Sequence, residues 1–199
     1  DYVVSHNIKE NQSKYLKESR ELVIKCISER KSERILGVQI VGERGVDKRI
    51  DVFVTAMTFG AKVSDLFHLD LAYAPPFSTT KDPVMYSGMI LDNAINRGRQ
   101  LITPHELMKN RDSFTVIDVR SKDDYNKGHI DGAINIPHEE LKETAKSFDK
   151  NKKYVVHCNK GTTGNAAQNL LLNLGFKEVY NLSGGYSQYK IEFGRVAKD

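Results

Sequence analysis

The sequence predicts two units of different architecture, an α+β unit over residues 1–98 and an α/β unit over residues 99–199. Three observations carry this. Neighbouring strand-like segments precede the helices in the first half, strands alternate with helices in the second, and the change of pattern falls near Gly98.

In the first half, Glu21–Glu29 reads as a strand and Arg34–Gly42 as its partner, and the polar Arg30-Lys31-Ser32-Glu33 between them suits a hairpin. Val46, Ile50, Phe53, Val54 and Met57 recur at helical spacing and predict the buried face of a helix. Leu71-Ala72-Tyr73-Ala74-Pro75-Pro76-Phe77-Ser78 cannot continue a helix, because consecutive prolines remove donors and restrict the residue before them. A helix from about Asp82 to Asn96 closes this half before Gly98.

In the second half, Thr103-Pro104-His105-Glu106 is a capping box with proline at the first helical position, so a helix begins there. Strands are predicted at Phe114–Val119, Ala133–Ile136, Tyr154–His157 and Glu178–Leu182, with helical segments near Lys122–Asn126, Glu139–Ala145 and Gly164–Leu174. Such alternation with short connections implies a parallel sheet covered on both faces. Tyr186 and Tyr189 are expected in the core or rim of a last helix.

Composition excludes several classes. The hydrophobic fraction is 39%, the charged fraction 28% and the net charge +4, with no basic block in either half, so no nucleic-acid partner is expected. No run of apolar residues is long enough to span a bilayer, and Asp1-Tyr2-Val3-Val4-Ser5-His6 lacks the basic and apolar regions of a secretory leader. The two cysteines, Cys26 and Cys158, form no C-x-x-C, which argues against a disulfide scaffold or a metal site and for a reducing cytoplasm. Cys26 shares strand parity with Leu22 and Ile24 and is expected to be a buried, unreactive thiol. Residues 1–98 contain no G-x-G-x-x-G and no P-loop, so no cofactor is expected on this chain.

The informative stretch is Val155-Val156-His157-Cys158-Asn159-Lys160-Gly161-Thr162-Thr163-Gly164-Asn165. A buried strand ends at a cysteine, a small polar loop follows, and an apolar-periodic helix begins. Helix N-termini at the carboxyl ends of parallel strands point free N–H groups at whatever lies there, a setting that favours thiolate over thiol. Gly161 and Gly164 would let the loop curl around the sulfur, Lys160 would add a positive charge, and Thr162 and Thr163 would offer hydroxyls. On residues alone the pattern also fits an inert thiol at a strand end. A phosphatase of this shape needs an arginine six residues after the cysteine, where Gly164 stands. His157 should point away from the thiol by strand alternation and be structural.

Ile117-Asp118-Val119-Arg120, Tyr125, and Gly128-His129-Ile130-Asp131-Gly132-Ala133-Ile134-Asn135-Ile136-Pro137 resemble the first blocks of the rhodanese family. The Cys158 loop and Gly175–Gly185 resemble the remaining blocks, in the same order. The resemblance implies a five-stranded parallel sheet, a sulfurtransferase that carries sulfur as a persulfide on Cys158, a small sulfur donor and a thiol acceptor. It gives Asn159, Lys160, Gly161, Thr162, Thr163 and Gly164 to substrate binding, while Asp118, Arg120 and His129 support the site, the first two as an ion pair. A silent rhodanese-like interaction module is the competing outcome; such modules commonly lose the cysteine.

In the first half, Ile35–Gly42, Gly45–Asp51, Leu71–Phe77 and Lys81-Asp82-Pro83-Val84 resemble the dimerisation domain of pyridine nucleotide-disulfide oxidoreductases. Tyr73-Ala74-Pro75-Pro76-Phe77 is similar to the branch that includes coenzyme A-disulfide reductases, some of which carry an appended rhodanese domain in this order. The resemblance implies a homodimer through residues 1–98 and a longer parent enzyme that uses FAD and NAD(P)H. Met89 and Tyr15-Leu16-Lys17 depart from the coenzyme A-disulfide pattern.

Overall fold

The computed structural model describes residues 1–194, and the chain divides into two compact units after Gly98. The first unit carries an antiparallel sheet of β1 (Tyr2–Glu10), β2 (Glu21–Glu29) and β3 (Ile35–Gly42), in that order, with α1 (Val46–Thr58), α2 (Val63–Phe67) and α3 (Pro83–Asn96). β2 alternates as its sequence requires, burying Leu22, Ile24, Cys26 and Ser28.

β1 has no counterpart in the sequence reading. Its centre, Ser5-His6-Asn7, is polar yet buried, so it shows no apolar alternation. The Asn7 amide instead donates to the Pro83 carbonyl at 2.8 Å, tying β1 to the start of α3. α1 also departs from its predicted face: it buries Arg49 with Phe53, and Val54 is 52% exposed. A buried guanidinium must be paired. Arg49 meets the Asp82 carboxylate at 2.9 and 3.3 Å and donates to the Asn11 carbonyl at 2.8 Å and the Phe77 carbonyl at 3.4 Å. Together with the Ser13 N–H donating to Pro75 at 3.0 Å, this fixes the Pro75-Pro76 segment by hydrogen bonds.

The second unit is a five-stranded parallel sheet, β4-β8-β7-β5-β6, made of β4 (Leu101–Ile102), β5 (Thr115–Asp118), β6 (Ile134–Asn135), β7 (Lys153–His157) and β8 (Glu178–Leu182). Its helices are α4 (Pro104–Lys109), α5 (Lys122–Asn126), α6 (His138–Thr144), α7 (Thr162–Asn173) and α8 (Gly185–Phe193). Ile117, Tyr154 and Val156 face Leu141 of α6 and Ala167 and Leu171 of α7. Val116 and Val155 face the opposite way, toward Leu107 of α4 and the α8 tyrosines Tyr186 and Tyr189. Two helical layers thus cover the sheet, and β7 lies at its centre.

α7 starts at Thr162 rather than Gly164. Gly161 takes a left-handed φ of 97° as its N-cap, and its carbonyl already accepts the Asn165 N–H at 2.9 Å. Gly164 therefore lies inside the helix, where a Cβ would come within 2.4 Å of Asn181 Oδ1. Its small size serves packing against β8. No described helix is long and apolar enough to cross a membrane.

Candidate active site

Strand β7 delivers Cys158 to the carboxyl edge of the sheet, and the chain turns through Asn159, Lys160 and Gly161 into α7. The thiol is only 7% exposed, and the Gly161 N–H lies 3.2 Å from Sγ. A second helix end meets the loop from behind. At the start of α8 the Tyr186 N–H donates to the Cys158 carbonyl and the Ser187 N–H to the Asn159 carbonyl, both at 2.9 Å. Asn181 on β8 donates its side-chain amide to the Gly161 carbonyl at 3.1 Å.

Asp118 and Arg120 form a buried ion pair at the end of β5. The Arg120 Nε lies 2.9 and 3.0 Å from the two carboxylate oxygens, and the guanidinium also donates to the Gly128 carbonyl at 2.8 Å. It stacks 4.2 Å from the Tyr186 ring centre and reaches Asn159 Oδ1 at 3.4 Å. Asn135 caps the same corner, donating to the carbonyls of Asp118 and Arg120 at 3.0 Å each. The Arg120 guanidinium thus links the end of β5 to the Cys158 loop at Asn159.

The other sequence-selected residues spread around this centre. Asn159 is exposed at the rim, its amide nitrogen 3.4 Å from Asp124 Oδ2. Lys160 is half-buried in the loop, and Thr162 and Thr163 are exposed on the first turn of α7. His129 is also exposed; its ring stacks on Tyr125 at 3.9 Å and its Nδ1 lies 3.1 Å from the Tyr125 carbonyl, which fixes the turn before β6. His157 is fully buried on the opposite face of β7 from Cys158, and burial, joined by the Arg120 cation, pushes its pKa down to about 4 against the pull of Asp118. Cys26 is buried in the first unit, where desolvation pushes its thiol up to about 12.

Residues 103–192 match the rhodanese-like domain, and residues 2–83 match the pyridine nucleotide-disulphide oxidoreductase dimerisation domain. Over 85 residues the chain is 38% identical to thiosulfate sulfurtransferase GlpE of Coxiella burnetii, covering 43% of this chain and 78% of that protein. The chain belongs to the rhodanese-like family. Its rhodanese-like domain follows a reductase dimerisation domain in one polypeptide, as in two solved structures. The reduced CoADR-RHD of Bacillus anthracis is 34% identical with a TM-score of 0.90, covering 96% of this chain. The NAD-dependent persulfide reductase of A. fulgidus is 32% identical with a TM-score of 0.82, covering 95%. The chain spans 34% of the length of each. These relatives are named for thiosulfate sulfurtransferase and persulfide reductase activities.

Sequence reasoning missed Asn181, Gly185 and Tyr186 as parts of the site. Asn181 was detectable, since a buried polar residue in an apolar strand needs partners. The α8 bonds to the Cys158 and Asn159 carbonyls left no side-chain signal, because backbone N–H groups make them.

Proposed function

We propose that the rhodanese-like domain is a sulfurtransferase in which Cys158 carries the sulfur. The observation that supports this most is a nearly buried Sγ with the Gly161 N–H at 3.2 Å, at the N-terminal end of the 12-residue helix α7. In the first step the Cys158 thiolate attacks the outer sulfur of a donor. A new S–S bond forms at Cys158, the donor's own bond to that sulfur breaks, and the leaving group departs with the electron pair. The outer sulfur of the resulting persulfide bears the negative charge, where backbone N–H groups at a helix start stabilise it. An acceptor thiolate or cyanide then attacks that sulfur, and Cys158 leaves as thiolate. The protein undergoes no net oxidation. Lys160 in the loop and the exposed hydroxyls of Thr162 and Thr163 would meet the donor, Asn159 and Gly161 would shape the loop, and Gly164, inside α7, would let that helix pack on β8.

The dimerisation domain and the two long neighbours support a larger homodimeric enzyme that pairs this domain with an FAD- and NAD(P)H-dependent disulfide or persulfide reductase. The glycine-opened start of α1 does not fit a dinucleotide pyrophosphate: it is taken up by the Arg49 guanidinium, which is paired with Asp82 and donates to the Gly45 carbonyl at 3.1 Å. Those cofactors would be held by other domains of the enzyme. A reducing compartment such as the cytoplasm suits a chain whose two thiols are free.

The test is mass spectrometry after exposure to thiosulfate or a low-molecular-weight persulfide. One added sulfur, about 32 Da, is expected on Cys158 and is abolished in Cys158→Ser, while Cys26→Ser still transfers sulfur. Transfer that survives Cys158→Ser rules the mechanism out.

A further inference from the structure

We infer that α8 is a clamp that sets the geometry of the Cys158 loop, with Gly185 as its positioning residue, an inference that rests on Cys158 being the sulfur carrier. A loop that binds a sulfur anion through N–H groups must turn its carbonyls away from the sulfur, since a carbonyl oxygen there would repel it. Three carbonyls of this loop are held elsewhere. Cys158 and Asn159 are bonded by the Tyr186 and Ser187 N–H groups at 2.9 Å each, and Gly161 by the Asn181 amide at 3.1 Å. The Gly161 N–H is left to face Sγ.

The first N–H groups of α8 have no partners within their own helix, so their docking onto these carbonyls satisfies both sides. The docking needs very close approach. A Cβ on Gly185 would lie 2.5 Å from the Cys158 carbonyl oxygen and 2.7 Å from that of Asn159, both backbone atoms, and its φ of 61° is left-handed. Any side chain there must push α8 and the loop apart. The Tyr186 ring extends the same contact, since Arg120 stacks on it while reaching Asn159.

The test separates strain from the clash. Gly185→Ala adds both. Gly185→Asn adds the same Cβ but tolerates the left-handed backbone better. Gly175→Ala is the control: its φ is 89°, and its nearest neighbour is the flexible end of Lys150 at 4.0 Å, beyond the far end of α7 from Cys158.

Single-turnover persulfidation of Cys158 is expected to fall roughly a hundredfold in folded Gly185→Asn, the scale of an ångström-level misplacement, and to stay at the wild-type rate in Gly175→Ala. The pH profile of iodoacetamide alkylation is expected to move to higher pH in Gly185→Asn only; Cys26, fully buried, stays silent in that assay. In the wild-type chain, hydrogen exchange at the Tyr186 and Ser187 amides should be as slow as in β7. Wild-type persulfidation and alkylation in Gly185→Asn, or fast exchange of those amides in the unaltered protein, overturns the clamp. Loss of transfer in Cys158→Ser alongside such a result would leave the carrier role standing, whereas transfer that survives Cys158→Ser would remove both.

Discussion

Arg120 shows how one side chain can join four parts of a site: the Asp118 carboxylate, the Gly128 carbonyl, the Asn159 amide and the face of Tyr186. Removing one partner of a buried ion pair strands the other charge, so Arg120→Ala should lower stability by about 3–5 kcal/mol in urea melts. A loss below about 1 kcal/mol would mean that water reaches Asp118 easily. Two buried histidines make stability depend on pH. The pKa values of His157 and His6 fall from 6.5 to about 4, each first through burial, with Lys25 adding to the effect at His6. The folded value lies below the unfolded one, so the unfolded chain takes up the extra proton. Their contribution is therefore full above pH 6.5 and is lost as the pH falls toward about 4, amounting to at most roughly 3 kcal/mol each. Urea midpoints measured between pH 7 and 4.5 should fall, and His157→Leu should flatten part of that slope. Equal midpoints for the wild type at both ends would contradict the burial argument. At this scale the sequence exposed Cys158, because a thiol at a strand end beside a glycine-bearing loop is a local pattern. It could not expose Gly185 or Tyr186, which reach the loop through backbone groups distant in the chain.

Elements were legible where their period was long enough to see. β2 alternates cleanly over nine residues, and the capping box at Thr103 is present as read, with the Glu106 N–H reaching the Thr103 hydroxyl at 3.2 Å and the Thr103 N–H reaching the Glu106 carboxylate at 2.9 Å. β4 and α2, with two and five residues, are too short to repeat their period. β1 hid for another reason: a polar centre satisfied by hydrogen bonds looks like a loop in sequence. α1 hid a buried cation on a face that its apolar residues placed elsewhere. The cap also yields a measurable quantity. Thr103→Ala removes the hydroxyl acceptor and should cost about 1 kcal/mol, while Thr103→Ser should restore most of it. Equal stabilities for the two variants would show that the Glu106 carboxylate alone holds the helix start.

At the scale of the whole molecule, the two units differ in what they leave uncovered. Of the eleven large apolar side chains exposed among the described residues, eight lie in the first unit, including Phe59 at 85%, Tyr15 at 75%, Val41 at 72% and Phe77 at 69%. Single exposed apolar side chains are ordinary on a surface, but the first unit leaves more of them uncovered than the second does. The match of residues 2–83 to a dimerisation domain supports the proposal that a second copy, in a two-fold arrangement, covers part of this surface. A stable interface of that kind buries about 800 Å² on each partner, and one charge placed within it is costly. The chain should therefore sediment as a dimer, twice its 22.5 kDa, whereas residues 99–199 alone should sediment as a monomer that still takes up sulfur on Cys158. Phe59→Glu and Val41→Glu probe two of these exposed side chains. At least one should shift the full chain toward monomer without slowing persulfidation, because the second unit contains its own core and its own site. A monomeric wild-type chain at tens of micromolar, well above the dissociation constant of an ordinary interface of this size, would count against self-association through this unit alone. A dimeric 99–199 fragment would move the interface to the rhodanese-like domain.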